Sequence, residues 1–137
     1  MRAALLPGLM LAACVLCACG EGEEQPTPDL APPAILRSEP VGGATGVALD
    51  VVVRVWLDEP FDNSRISADH MYLRQGATPL WGSLSRDTAQ AMLALDLSVP
   101  LEAGATYEVV LSPGVCDLAP TPNCTDEPLT FSFQTAP

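Results

Sequence analysis

The sequence predicts an all-β protein, a single antiparallel β-sandwich of about seven short strands. Apolar and polar residues alternate with period two in several short runs, which is the pattern of half-buried strands. The 10 glycines and 14 prolines suit many short strands joined by turns. No run is long enough for a useful helix, and the one helical expectation is a single turn at 64–70, capped by Ser67 or Asp69.

The alternation is clear in four runs and weaker in three others. The clear runs are 51–58, 93–97, 107–111 and 129–134, and the weaker ones are 35–37, 71–74 and 80–84. In the first run Val53, Val55 and Leu57 share one face, and Trp56 belongs to the other. We therefore expect the three aliphatic side chains in the core and Trp56 on the outward face.

Residues 1–18 have the layout of a secretory signal peptide. Met1 and Arg2 precede an apolar run from Ala3 to Ala18. That run is short for a membrane span, which needs about 20 residues. We therefore predict an exported protein.

The cysteines at the end of the apolar run indicate lipidation. Leu16-Cys17-Ala18-Cys19 resembles a bacterial lipobox, whose Cys is acylated and becomes the first residue after cleavage. Leu11-Ala12-Ala13-Cys14 fits the same pattern, so Cys14 is the alternative. Cys19 is preferred because a polar stretch, 20–24, follows it at once.

Residues 19–33 are predicted to be the acylated Cys19 followed by a flexible tether. The stretch GEGEEQPTPDLAPP at 20–33 is too poor in apolar residues to offset its ordering entropy. Its prolines favour polyproline II at about 3.1 Å per residue, so the tether could reach roughly 40 Å. The ordered domain is expected to cover 34–137.

A tyrosine corner is predicted between two of the strands. Leu101, Gly104 and Tyr107 have the L-x-x-G-x-x-Y spacing. In such a corner the Tyr hydroxyl bonds to a backbone group a few residues upstream and fixes the turn into the next strand. The alternative is an ordinary half-buried tyrosine.

With these segments in order, the chain resembles the bacterial Ig-like domains of S-layer and other cell-surface proteins. The matching segments are 39–47, 53–62, 101–107, 114–119 and 131–135. The resemblance implies an Ig-like sandwich that serves as a spacer, stalk, adhesion or assembly module, with no catalytic residues. Two features depart from the pattern, since Pro120 replaces a glycine, and Cys116 and Cys124 are additional.

Cys116 and Cys124 are expected to form a disulfide, because that is the default state of a close pair of cysteines in an exported protein. The bond would close the loop before the last strand, contributing roughly 2.5 kcal/mol in the chain-entropy model. A metal site is the weaker alternative, with Asp117, Asp126 and Glu127 as helpers. No histidine lies near these two cysteines in the sequence, so we predict neither a metal nor a cofactor.

Trp56 and Trp81 are the candidate binding residues. Exposed aromatic side chains on a sandwich face could form one contact patch for a carbohydrate, a polymer or a protein. The alternative is that each indole covers a sheet edge or packs under a loop.

Charge and composition exclude several function classes. The net charge is −11, with 17 acidic residues against six basic ones, which argues against nucleic acid as a partner. Asp58, Glu59 and Asp62 lie in one turn without a calcium-loop pattern, so a solvated turn is expected. His70 is the one histidine, and no nucleophile motif accompanies it.

The sequence therefore predicts a non-catalytic Ig-like module, lipid-anchored in the cell envelope. Its partners would be the membrane, through the anchor, and an envelope protein or a glycan. The outer membrane is the expected location, because Gly20 follows Cys19 where an inner-membrane retention signal would have Asp.

Overall fold

A computed structural model describes residues 29–137 as two packed four-stranded sheets. The strands are β1 Ile35–Glu39, β2 Val52–Leu57, β3 Met71–Gln75, β4 Thr78–Leu80, β5 Ser83–Asp87, β6 Met92–Asp96, β7 Thr106–Leu111 and β8 Leu129–Gln134. The first sheet has the order β1-β2-β6-β5 and the second β4-β3-β7-β8, and all neighbours are antiparallel. The predicted antiparallel sandwich is confirmed.

The core lies between the two sheets and follows the period-two pattern. Val53 and Val55 of β2 are fully buried, as are Leu93 and Leu95 of β6. The second sheet contributes Met71, Leu73, Tyr107, Val109, Leu111 and Phe133 to the same cluster. Burying each large aliphatic side chain contributes about 1.5–3 kcal/mol, so this alternation is what holds the two sheets together.

The weak run predicted as one strand at 80–84 is two strands. β4 ends at Leu80 and pairs with β3, whereas β5 begins at Ser83 and pairs with β6 in the other sheet. The chain changes sheet at Trp81 and Gly82. A Cβ atom on Gly82 would overlap the carbonyl oxygen of Asp96, so only glycine fits this crossing.

The helical turn predicted at 64–70 lies slightly earlier. A 3-10 turn spans Asn63–Arg65, and its cap is Asp62, not Ser67 or Asp69. The carboxylate of Asp62 accepts hydrogen bonds from the Ser64 N–H at 3.0 Å and the Ser64 hydroxyl at 2.6 Å. Asp62 is therefore a capping residue, since its oxygen satisfies a free N–H at the start of the turn.

Tyr107 lies at the turn that leads into β7. Its hydroxyl accepts a hydrogen bond from the Glu102 N–H at 2.9 Å, and Leu101 is buried beside it. Gly104 has φ of 64°, a backbone conformation that costs glycine little. The hydrogen bond to Tyr107, the buried Leu101 and the turn at Gly104 together give the geometry of a tyrosine corner, which is typical of Ig-type sandwiches.

Candidate binding surface

The outer face of the second sheet carries an exposed aromatic pair. Tyr72 points outward from β3, because its neighbours Met71 and Leu73 both point into the core. Trp81 packs against it, with ring centroids 4.5 Å apart and ring planes at 39°. Trp81 is 52% exposed, so much of the indole faces solvent. We call Tyr72 and Trp81 the aromatic platform.

Trp81 is held from both sides along the chain. The preceding residue, Leu80, pairs with Leu73 in the β3–β4 ladder. The following residue, Gly82, lies so close to β6 that a Cβ atom there would stand 3.0 Å from the carbonyl carbon of Asp96. The indole therefore projects from backbone that is fixed by both sheets, not from a free loop.

Polar side chains continue the face beside the aromatic platform. Arg74 is the next outward residue of β3, and its Nη2 donates to Oε2 of Glu108 at 2.6 Å. That hydrogen bond raises the pKa of Arg74, so the guanidinium stays charged. The two side chains are 40% and 32% exposed, and further N–H groups and a carboxylate oxygen remain for other partners. On β8, Thr130, Ser132 and Gln134 are also exposed.

Trp56 does not belong to this surface, which corrects the expectation of an exposed Trp56. It lies on the outward face of β2, as predicted, but it is only 9% exposed. The guanidinium carbon of Arg37, its partner across the β1–β2 ladder, stands 3.5 Å from the ring centroid. Trp56 and Trp81 thus occupy opposite faces of the sandwich and cannot share a patch.

An acidic cluster lies where the chain enters the domain. Asp29, Glu59 and Asp117 place carboxylate oxygens within 4.8 Å of one another. The three acidic residues that the sequence places in one turn, Asp58, Glu59 and Asp62, therefore do not form one group. Glu59 lies with carboxylates that are distant in the chain. Partial burial, followed by repulsion from Asp29, Asp117 and Asp58, raises the pKa of Glu59.

Asp117 differs from Glu59 because hydrogen bonds occupy both of its oxygens. Oδ1 accepts from the backbone N–H groups of Ala119 and Asn123, each at 3.0 Å. Oδ2 accepts from Nδ2 of Asn123 at 2.7 Å. These bonds lower the pKa of Asp117. The carboxylate is thus a structural group of the loop.

A disulfide joins Cys116 and Cys124 and closes the loop that contains Asp117 and Asn123. This confirms the predicted pairing. Outside the loop, the side chain of Asn123 also donates to the backbone oxygen of Asp29 at 2.9 Å. The stapled loop therefore contacts the incoming chain directly.

His70 is half-buried at the start of β3 and has no nucleophile attached. Desolvation, the largest effect, lowers the pKa of His70, and the Arg86 charge acts in the same direction. Its Nε2 is buried without a hydrogen-bond partner, so no hydroxyl is poised for activation there. The candidate lipidation residues Cys19 and Cys14 lie outside the described residues.

Sequence reasoning missed Tyr72, Arg74 and Glu108. Tyr72 and Arg74 alternate with the core residues of a run that was recognised only as a weak strand. That alternation was the available sign that their side chains face outward. Their neighbours depend on the register Tyr72↔Val110 and Arg74↔Glu108, which no local pattern encodes.

Two packed antiparallel sheets with this corner define an Ig-type sandwich. The model of the family described as "Bacterial Ig-like domain" matches residues 29–135. The chain belongs to this family.

Two solved structures share the fold. The N-terminal part of the bacterial S-layer protein SbsC has a TM-score of 0.56 and 19% identity, covering 77% of this chain and 24% of that chain. CopC from Methylosinus trichosporium OB3b has a TM-score of 0.59 and 13% identity, covering 77% of this chain and 94% of the other. This chain thus spans about a quarter of the SbsC fragment. The comparison with curated proteins found no match.

Proposed function

We propose that this protein is a lipid-anchored envelope protein whose Ig-like domain is a non-catalytic structural and interaction module. The observation that carries the proposal is the lipobox-like segment ending at Cys19, placed before a polar stretch and an Ig-like domain. Among residues 29–137 no helix is long and apolar enough to cross a bilayer. In the proposal, acyl chains on Cys19 hold the protein at the membrane.

The non-catalytic role is supported by how the polar groups of the domain are used. Asp62 caps a turn, Asp117 braces the disulfide loop, and Thr135 joins the chain end to the tyrosine corner through its hydroxyl, 2.6 Å from the Glu102 oxygen. His70, the residue best suited to acid–base chemistry at neutral pH, is held neutral by burial, which lowers its pKa. These groups serve the fold.

Contacts at the domain entry involve the end of the stretch 20–33, for which the tether is proposed. Asp29 is bonded to Asn123, and the Ala34 N–H donates to Oδ1 of Asp58 at 2.8 Å while the Asp58 N–H donates to the Ala34 oxygen at 2.9 Å. In the proposal, the stretch from Asp29 onward would therefore lie against the domain rather than extend as part of the tether.

The anchoring is tested by labelling with an alkyne analogue of palmitate in a bacterial host, followed by membrane fractionation. Cys19→Ala is expected to lose the label, whereas Cys14→Ala and Cys17→Ala retain it. Loss of the label in Cys14→Ala alone would move the anchor to Cys14. An unlabelled wild-type protein would refute the lipid anchor altogether.

The outer membrane is the proposed location, and density-gradient separation of the two membranes tests it. The labelled protein should sediment with the outer membrane. Replacing Gly20 by Asp should shift the protein toward the inner membrane if the retention signal operates in the host. Co-sedimentation of the wild-type protein with the inner membrane would contradict the proposed location.

A further inference from the structure

We propose that the outer face of the second sheet is a binding site for a neutral glycan, one of whose pyranose rings stacks on the aromatic platform. The proposal goes beyond the lipid-anchored module and does not depend on the anchor. It rests on three features of the face: the exposure of Trp81, the fixed backbone that presents it, and the polar groups beside it.

The exposure of Trp81 is the first feature. An indole that is 52% exposed against a second ring offers a wide apolar face that water covers poorly. The other tryptophan shows how the fold covers an outward indole, since Arg37 lies over Trp56. No such cover lies over Trp81 in the described part of the chain.

Pre-organisation is the second feature. The β3–β4 ladder fixes Leu80, and the close approach of Gly82 to β6 fixes the residue after the indole. The ring is therefore already placed before a ligand arrives. A rigid aromatic side chain loses little conformational entropy on binding, so more of the contact energy is expressed as affinity.

The neighbouring polar groups are the third feature, and they select the class of ligand. A sugar hydroxyl both donates and accepts, so it can use the remaining Nη N–H groups of Arg74, whose Nε is buried, and the second carboxylate oxygen of Glu108. The C–H face of an all-equatorial pyranose is apolar and flat, which matches the face of an indole. Beyond the ion pair, the hydroxyl and amide side chains of Thr130, Ser132 and Gln134 continue the polar part of the face.

Charge and area favour a neutral glycan over other occupants. With a net charge of −11, and with Glu108 neutralising Arg74 at 2.6 Å, the face would repel an anionic polymer. A stable protein interface needs about 800 Å² from each partner. Two aromatic rings beside an ion pair supply a much smaller apolar contact, and this suits a sugar ring.

The test uses full-length protein purified in detergent, with cellohexaose and chitohexaose as the probes and polygalacturonate as the anionic comparison. Since the chain has two tryptophans, Trp56→Phe leaves Trp81 as the sole indole. Its emission should shift to shorter wavelength and saturate with at least one neutral probe. Calorimetry should give a dissociation constant on the order of 0.1 mM, the affinity of a small contact.

Variants then locate the site. Trp81→Ala should weaken binding at least about tenfold, because it removes the main stacking surface. Tyr72→Ala should weaken binding by a smaller factor. Arg74→Met should weaken it several-fold without changing the urea midpoint appreciably. Trp56→Phe, on the opposite face, should bind as the wild type does, and it is the matched control.

Three results would overturn the proposal. One is no saturable response from either neutral hexasaccharide, and another is binding that Trp81→Ala leaves intact. The third is a preference for polygalacturonate, which would assign the face to an anionic ligand. Palmitate labelling reports the lipid anchor on the same preparation, so failure of the anchor and failure of the glycan site are separate outcomes.

Discussion

The two tryptophans lie on opposite faces of the sandwich, and their surroundings differ. Trp56 points out from β2 and is covered by Arg37, whose guanidinium lies 3.5 Å from the ring centroid. Trp81 stands beside β3 with Tyr72 on one side and solvent on the other. The first indole is part of the structure, because it gains burial and a cation–π contact. The second gains much less, and its exposure is what points to a ligand.

Replacing each tryptophan by alanine should give the largest difference between the two faces in the free energy of unfolding. Trp56→Ala is expected to lower the free energy of unfolding by about 3 kcal/mol, because it removes a buried aromatic side chain. Trp81→Ala should cost less than about 1 kcal/mol, in the range of exposed substitutions. Urea unfolding monitored by circular dichroism measures both. Similar losses in the two variants would contradict the assignment of one structural and one open tryptophan.

Gly82→Ala tests whether the backbone crossing holds Trp81 in place. Its Cβ atom would meet the backbone of Asp96, so the crossing must shift, at an expected cost of about 1–3 kcal/mol. In a Trp56→Phe background, acrylamide quenching of Trp81 should change as the indole leaves Tyr72.

Gly42→Ala is the matched control for that substitution. A Cβ atom there would lie 3.5 Å from the Cβ of Phe131, an ordinary contact. Its unfolding free energy should stay within about 0.5 kcal/mol of the wild type. If Gly82→Ala behaved like Gly42→Ala, the crossing would not be what positions Trp81.

The sequence was sufficient to predict most of the fold and only part of the binding surface. The alternation around Val53 and Val55 identified β2 and its core face, because burial on one side leaves a local period-two signal. The spacing of Leu101, Gly104 and Tyr107 likewise predicted a corner from local residues. Both inferences needed only neighbours in the chain.

The surface depended on residues that are distant in the chain. Whether Trp56 is covered is decided by Arg37 across the β1–β2 ladder, and Tyr72 meets Trp81 only because β4 folds back on β3. The change of sheet at Gly82 was missed, since a continuous apolar run does not report which strands it pairs with. The sheet face on which a side chain lies can be predicted from its neighbours in the chain. Whether another side chain packs over it cannot.

Arg37→Ala should make the covered face resemble the open one. Loss of the cation–π contact is expected to cost about 0.5–1 kcal/mol. In a Trp81→Phe background, emission from Trp56 should shift to longer wavelength, and the indole should become more accessible to acrylamide. Arg65→Ala, which removes an exposed arginine on the 3-10 turn, should leave the emission unchanged. An unshifted spectrum in Arg37→Ala would mean that other groups shield Trp56.

The smallest expected effect extends the same contrast, partnered against unpartnered, to the carboxylates at the domain entry. Burial and three neighbouring acids raise the pKa of Glu59, so its stabilising effect exists below the unfolded pKa and disappears as pH rises through the folded value. Hydrogen bonds from Asn123 lower the pKa of Asp117, so its contribution exists above the unfolded pKa and is lost as pH falls through the folded value. Glu59→Gln should therefore raise the melting temperature slightly at neutral pH and not in acid, because protonated Glu59 is already uncharged there. Asp117→Asn should lower it at neutral pH, with the deficit shrinking in acid. Thermal melts from acid to neutral pH measure both effects. If the melting temperature of Glu59→Gln ran parallel to that of the wild type at every pH, the cluster would exert no repulsion on Glu59.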